Sequence, residues 1–209
     1  MAAVSSPYGF RPVNLIGGLP YAGSTRSVPI ASAYGTNIFN GSLVYTLNDG
    51  TLAIATATGA DATTNDFPTG STARTGVLGV FVGCSYTNPS TKQKVFSQYW
   101  PTGTVASDAV GYVVDDDRVI FRVQAAGSLA ATDLGANTFL SAVQSTSTGS
   151  TTTGNSTSAV SASATANSAA FRIVGFVDMV GFSVVGDAYT DILVKFNPGY
   201  HSYSCPIGL

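Results

Sequence analysis

An all-β fold, a compact antiparallel barrel or sandwich with extended arms at both ends, is what this sequence predicts, and three observations carry it. Apolar and polar side chains alternate with period two over several short segments. Turn residues punctuate those segments closely enough to allow about eight to ten short strands. No stretch keeps helical periodicity for more than about two turns, and no solenoid or propeller repeat is visible.

The run from Ala109 to Gln124, AVGYVVDDDRVIFRVQ, sets the pattern for the rest. Tyr112 and Val114 share one face before the acidic break, and Val119, Phe121 and Val123 share one face after it. Two strands joined by a turn at Asp115 to Arg118 form a hairpin in this interpretation, with Phe121 in its core.

Residues 1–35 contain Pro7, Pro12, Pro20 and Pro29 with five glycines, which excludes a helix or a central strand. They also carry Tyr8, Phe10, Leu15, Ile16, Tyr21, Ile30 and Tyr34, too apolar a set for a solvated linker. The stretch is therefore an extended arm that docks, either on another surface or on its own domain. Arg11 and Arg26 are its anchors, suited to carboxylates or carbonyls.

From residue 36 to 197 the chain reads as the body, and the contrast in Pro and Gly usage predicts that it folds without its arms. Leu43, Tyr45 and Leu47 alternate with polar neighbours, and Asn48-Asp49-Gly50 turns the chain into Leu52 and Ile54, a hairpin signal. Residues 57–76 are a surface loop of Thr, Gly, Ala, Asn and Asp. GVLGVFVGCSY at 76–86 and KVFSQYW at 94–100, joined through Asn88-Pro89, are antiparallel partners. Gly127 to Leu140 allows one short helical turn. The Ser/Thr-rich segment 145–168 has Val160 as its only large apolar residue, which predicts an exposed excursion. FRIVGFVDMV at 171–180 and YTDILVKFN at 189–197 close the body. In the second, Ile192, Val194 and Phe196 face the core while Asp191 and Lys195 face solvent. The tail, 198–209, returns to Pro, Gly and aromatics, with Tyr200 and Tyr203 as docking candidates beside Tyr8, Phe10, Arg11, Tyr21 and Arg26.

Charge and chemistry narrow the function. Only 10% of the 209 residues are charged, against roughly 25% in ordinary globular chains. Either Ser, Thr, Gly and Asn hydrate the exposed faces or other subunits cover them. A net charge of −2 supplies no basic footprint for phosphate backbones, so direct nucleic-acid binding is not expected. The N-terminus lacks a secretory pattern and no window reaches the length of a membrane span, which predicts a soluble product that is not exported.

Cys84 lies in an apolar strand and Cys205 in the tail, which predicts two reduced thiols rather than a disulfide. The one histidine, His201, reads as an ordinary tail residue. Three adjacent aspartates, Asp115 to Asp117, lack the alternation and glycine of a calcium loop and read as a solvated turn beside Arg118. No zinc spacing, phosphate loop or catalytic triad is present, so neither an enzyme, a cofactor nor a metal is expected.

Four segments, SPYGFRPVNLIGGLPYAGSTR, GVFVGCSYTNPSTKQKVFSQYWP, VVDDDRVIFRVQ and GDAYTDILVKFNPG, resemble small structural proteins of tailed bacteriophages, of the capsid decoration or cement type. The resemblance implies a β-rich protein made in the host cytoplasm. It sits on the outer surface of the virion head, commonly as a homotrimer, and ties together capsomers of the major capsid protein. A receptor-binding or fibre-associated module, contacting the host through the loops at 57–76 and 145–168, is the rival interpretation.

Overall fold

A computed structural model describes residues 4–56, 76–162, 169–178 and 183–204. Among them the chain forms eleven strands: β1 (Arg11–Leu15), β2 (Arg26–Pro29), β3 (Leu43–Thr46), β4 (Leu52–Ile54), β5 (Gly79–Thr87), β6 (Lys94–Ser97), β7 (Val110–Val114), β8 (Val119–Gln124), β9 (Asn137–Thr138), β10 (Phe171–Phe176) and β11 (Asp191–Phe196). One 3₁₀ turn, Ala131–Asp133, supplies the short helical element. The strands make two antiparallel sheets, of order β1-β8-β11-β10-β9 and β2-β7-β5-β3-β4, with β6 paired to β5. The sheets are not closed into a barrel, so the architecture is the sandwich of the two predicted alternatives.

The Asn48-Asp49-Gly50 turn joins β3 to β4 with Val44 opposite Ile54. Asp49 accepts hydrogen bonds from the Thr51 amide (2.9 Å) and hydroxyl (2.7 Å), and these hold the turn. β5 and β6 pair as predicted, Cys84 opposite Ser97, and β10 pairs antiparallel with β11.

The run at 109–124 forms both of its strands but not a hairpin. β7 lies between β2 and β5 in one sheet, and β8 lies between β1 and β11 in the other. Asp115 to Arg118 is a corner that carries the chain from sheet to sheet. Two apolar segments each found better-matched partners far along the chain than each other, and alternation specifies a strand without specifying its neighbour.

Each sheet treats its faces differently. The core between the sheets holds Phe10, Leu43, Val80, Val114, Val119, Phe121, Val123, Phe171, Val194 and Phe196. Phe121 meets Phe10 edge-on at 6.4 Å and Phe196 at 5.7 Å. Truncating a fully buried ring like this to alanine costs about 3 to 5 kcal/mol. The sheet containing β5 buries its second face too, against a separate core of Ile38, Val44, Ile54, Phe81, Trp100 and Val113. Trp100 is completely buried, with Tyr86 edge-on at 5.4 Å and its indole N–H donated to the Tyr34 carbonyl. Burial on both faces is why β5 is apolar almost without interruption.

The stretch read as an arm packs on its own domain. β1 and β2 are edge strands of the two sheets, which tolerates Pro12 and Pro29. Gly9, at φ +74°, turns the chain inward, and a Cβ there would come 2.8 Å from the Gly41 carbonyl oxygen. Phe10 follows it into the core. A piece spanning only 36–197 would lose an edge strand from each sheet and one of the largest core rings, and is expected to be less stable than the full chain.

The predicted excursion at 145–168 holds for the exposed turns at 145–147 and 151–153 and is corrected for residues 154–160, most of which are buried. Ser156, Ser158, Ala159 and Val160 are buried. Asn155 bridges Asn40, and Val160 bridges both Ala125 and Leu140. Gln144 holds the base of the segment. Its side-chain oxygen accepts from the Leu43 amide (2.9 Å) and the Ser158 hydroxyl (3.1 Å), and its nitrogen donates to the carbonyls of Leu43 and Ala55, each at 3.1 Å. Polar side chains are buried here because they are hydrogen-bonded, a route that a count of apolar residues overlooks. The predicted loop at 57–76 lies outside the described residues except for Gly76, and so does 163–168.

Candidate interaction surface

The seven docking candidates separate into a core pair and two clusters. Phe10 is fully buried, stacked on Phe171 at 5.0 Å, and Tyr200 is 3% exposed. Both are core residues, so neither presents its ring to another surface. For Phe10, of the two dockings the sequence left open, the structure shows the one on its own domain.

One cluster gathers at the sheet-to-sheet corner. Arg26, on β2, pairs with Asp115 at 2.5 Å, and its guanidinium lies 5.1 Å from the centre of the Tyr203 ring. Tyr203 is 54% exposed. Tyr21 donates to the Ser24 carbonyl at 2.5 Å, and its pKa is raised by burial first and by the Asp115 charge second. Asp116 is bound by Arg118, which holds its carboxyl below the usual range, and Asp117 accepts from the Ser204 hydroxyl at 2.5 Å. Each aspartate of the acidic run thus has its own protein partner, and the tail is strapped across the corner. Among the described residues no group of three or more His, Cys, Asp or Glu is placed to hold a metal ion.

His201 is not the ordinary tail residue the sequence suggested. It is 1% exposed, lies between Phe196 (5.4 Å) and Tyr203 (5.5 Å), and bridges Val77. Its Nδ1 accepts from the Tyr203 amide at 3.3 Å, which puts the proton of the neutral ring on Nε2. Burial lowers its pKa and outweighs the three nearby aspartates. Cys84 is a free buried thiol pushed up to about 12 by burial, as inert as a small hydrophobe. Cys205 lies outside the described residues.

The second cluster covers the outer face of the sheet containing β8. Arg122 binds Asp191 through Nη2 (2.5 Å) and Nε (3.1 Å), and its guanidinium lies 5.7 Å from the centre of the Tyr8 ring. Burial first, then the Asp191 charge, raises the Tyr8 pKa. Asp191 is 5% exposed, not solvent-facing as its alternation with Ile192 implied, because the chain around Tyr8 crosses above it. Ser6 and Val4 continue that crossing by bonding the Gln124 amide. Arg11 donates to the side-chain oxygens of Asn40 and, at 2.7 Å, Asn155. Burial lowers its pKa. The sequence reading missed Arg122 and Arg172 entirely; the available signal was that both alternate with core residues on their strands.

No helix among the described residues is long and apolar enough to cross a membrane. Comparison with known protein families, with curated proteins and with solved structures gives no match.

Proposed function

We propose that the protein is a structural component of a phage virion, a capsid decoration protein. In this role a homotrimer binds the outside of the head and stabilises contacts between capsomers of the major capsid protein. The observation that carries this role is the set of exposed apolar side chains in the segment around the edge strand β1: Val4 (75% exposed), Val13 (39%), Ile16 (46%) and Leu19 (66%). A free tail gains nothing by exposing such a set beside an edge strand, whereas a docking segment does. The segment resemblance to cement proteins supports the same role. The mechanism is mass action, since a protein that binds only the assembled shell stabilises it against dissociation. A trimer multiplies weak single contacts.

Copy number per particle tests this directly. Quantitative mass spectrometry of purified virions should find the protein in hundreds of copies per head. A few copies per particle would contradict the role and favour host recognition at the tail.

A further inference from the structure

We propose that the outer face of the five-stranded sheet docks on a carboxylate-bearing protein surface, which is the shell surface under the role proposed above, on which this inference rests. The argument starts from strand register. Arg11 stands directly opposite Arg122, Arg122 opposite Leu193, and Arg172 opposite Lys195. Opposed residues share a face, as do residues two apart, so Arg11, Arg122, Lys195 and Arg172 form one band across β1, β8, β11 and β10. The other face of the same strands carries Phe121, Val194, Phe196 and Phe171.

Four of the chain's nine cations lie in this band. Like charges placed directly opposite each other destabilise a sheet, and here two such pairs occur. Asp191 offsets Arg122. Arg11, Arg172 and Lys195 have no carboxylate within 4.0 Å among the described residues. Amides hold the arginines instead: Asn40 and Asn155 bind Arg11, and Asn137 accepts from Arg172 Nε at 3.3 Å. An amide oxygen orients a guanidinium without neutralising it, which leaves the rest of the fork for an incoming carboxylate. Folding energetics alone do not ask for the Arg172–Lys195 placement, and a local rule broken there with no carboxylate to offset it marks a binding face. Protein carboxylates fit better than nucleic acid, because phosphate-based affinity grows with the number of cations engaged and the band offers only three without a carboxylate partner among the described residues.

The test uses purified heads lacking the protein, the full-length chain, and a salt titration. R172Q/K195Q, which leaves the Arg11 contacts intact, and R11Q/R172Q/K195Q are compared with wild type and with K92Q, a cation outside the band. The proposal expects Kd to rise by about tenfold or more in the double variant, with a flatter salt dependence, while K92Q matches wild type. Thermal unfolding checks that each variant is folded, and if the triple variant is not, the double variant decides. Equal affinity and salt slope for wild type and double variant would overturn the proposal and leave the head-binding role standing. Failure of wild type to bind depleted heads would remove both. Salt-sensitive binding of duplex DNA as tight as binding to heads would assign the band to phosphates and overturn the carboxylate assignment.

Discussion

His201 shows how a single side chain changes meaning once its surroundings are known. Seen from the sequence, its neighbours Gly199, Pro198 and Ser202 describe a tail; in the structure it is sealed between two aromatic rings. Proximity along the chain cannot report that residue 201 lies against residue 77. The consequence is a pH dependence. In the unfolded chain the ring titrates near about 6.5. In the folded chain its pKa is lower, so between those values the unfolded state binds more protons and stability falls as pH falls. The contribution is full above the unfolded value and is lost as pH drops through the folded one. Denaturant midpoints should therefore decline between about pH 7 and 5, and H201Q should abolish that slope whatever its own stability. Asp116 does not add to that slope, because Arg118 holds its carboxyl below the usual range. A flat wild-type profile across this window would contradict the account.

Among the elements, legibility followed the range of the interaction that decides each one. The β3–β4 hairpin was readable because Asn48-Asp49-Gly50 settles it locally. β7 and β8 were readable as strands but not as partners, since Val80, Phe81 and Val113 had to meet across dozens of residues to place β7. The burial at 154–160 was not legible because it rests on hydroxyls and one amide as well as on apolar area. Gln144 is the decisive member. Gln144→Leu would strip partners from the Leu43 amide, the Leu43 and Ala55 carbonyls and the Ser158 hydroxyl, costing about 2 kcal/mol or more. Thr152→Ala, at an exposed turn, should stay within about 0.5 kcal/mol. Urea unfolding of the two variants checks the contrast, and a neutral Gln144→Leu would return the segment to the surface.

At the scale of the molecule, the fold class was legible, and of the two placements open for the N-terminal stretch the structure shows packing on its own domain. Both termini are tied into the sandwich: residues 11–15 and 26–29 as edge strands, and residues 198–204 over the corner at Asp115 to Asp117. Part of the low charge also has an internal cause, because one sheet is covered on both faces by its own chain and spends apolar residues on both. Among the surface features are exposed apolar residues in the segment 4–19 and a partly exposed cationic band on the outer face of the other sheet. Such a molecule is equipped to hold on to a surface, and the proposed surface is the assembled head. Heating complete and depleted particles side by side while following DNA release measures that role most directly. Depleted heads should still assemble, release DNA at a lower temperature, and recover on addition of purified protein; equal release temperatures with and without the protein would contradict the account.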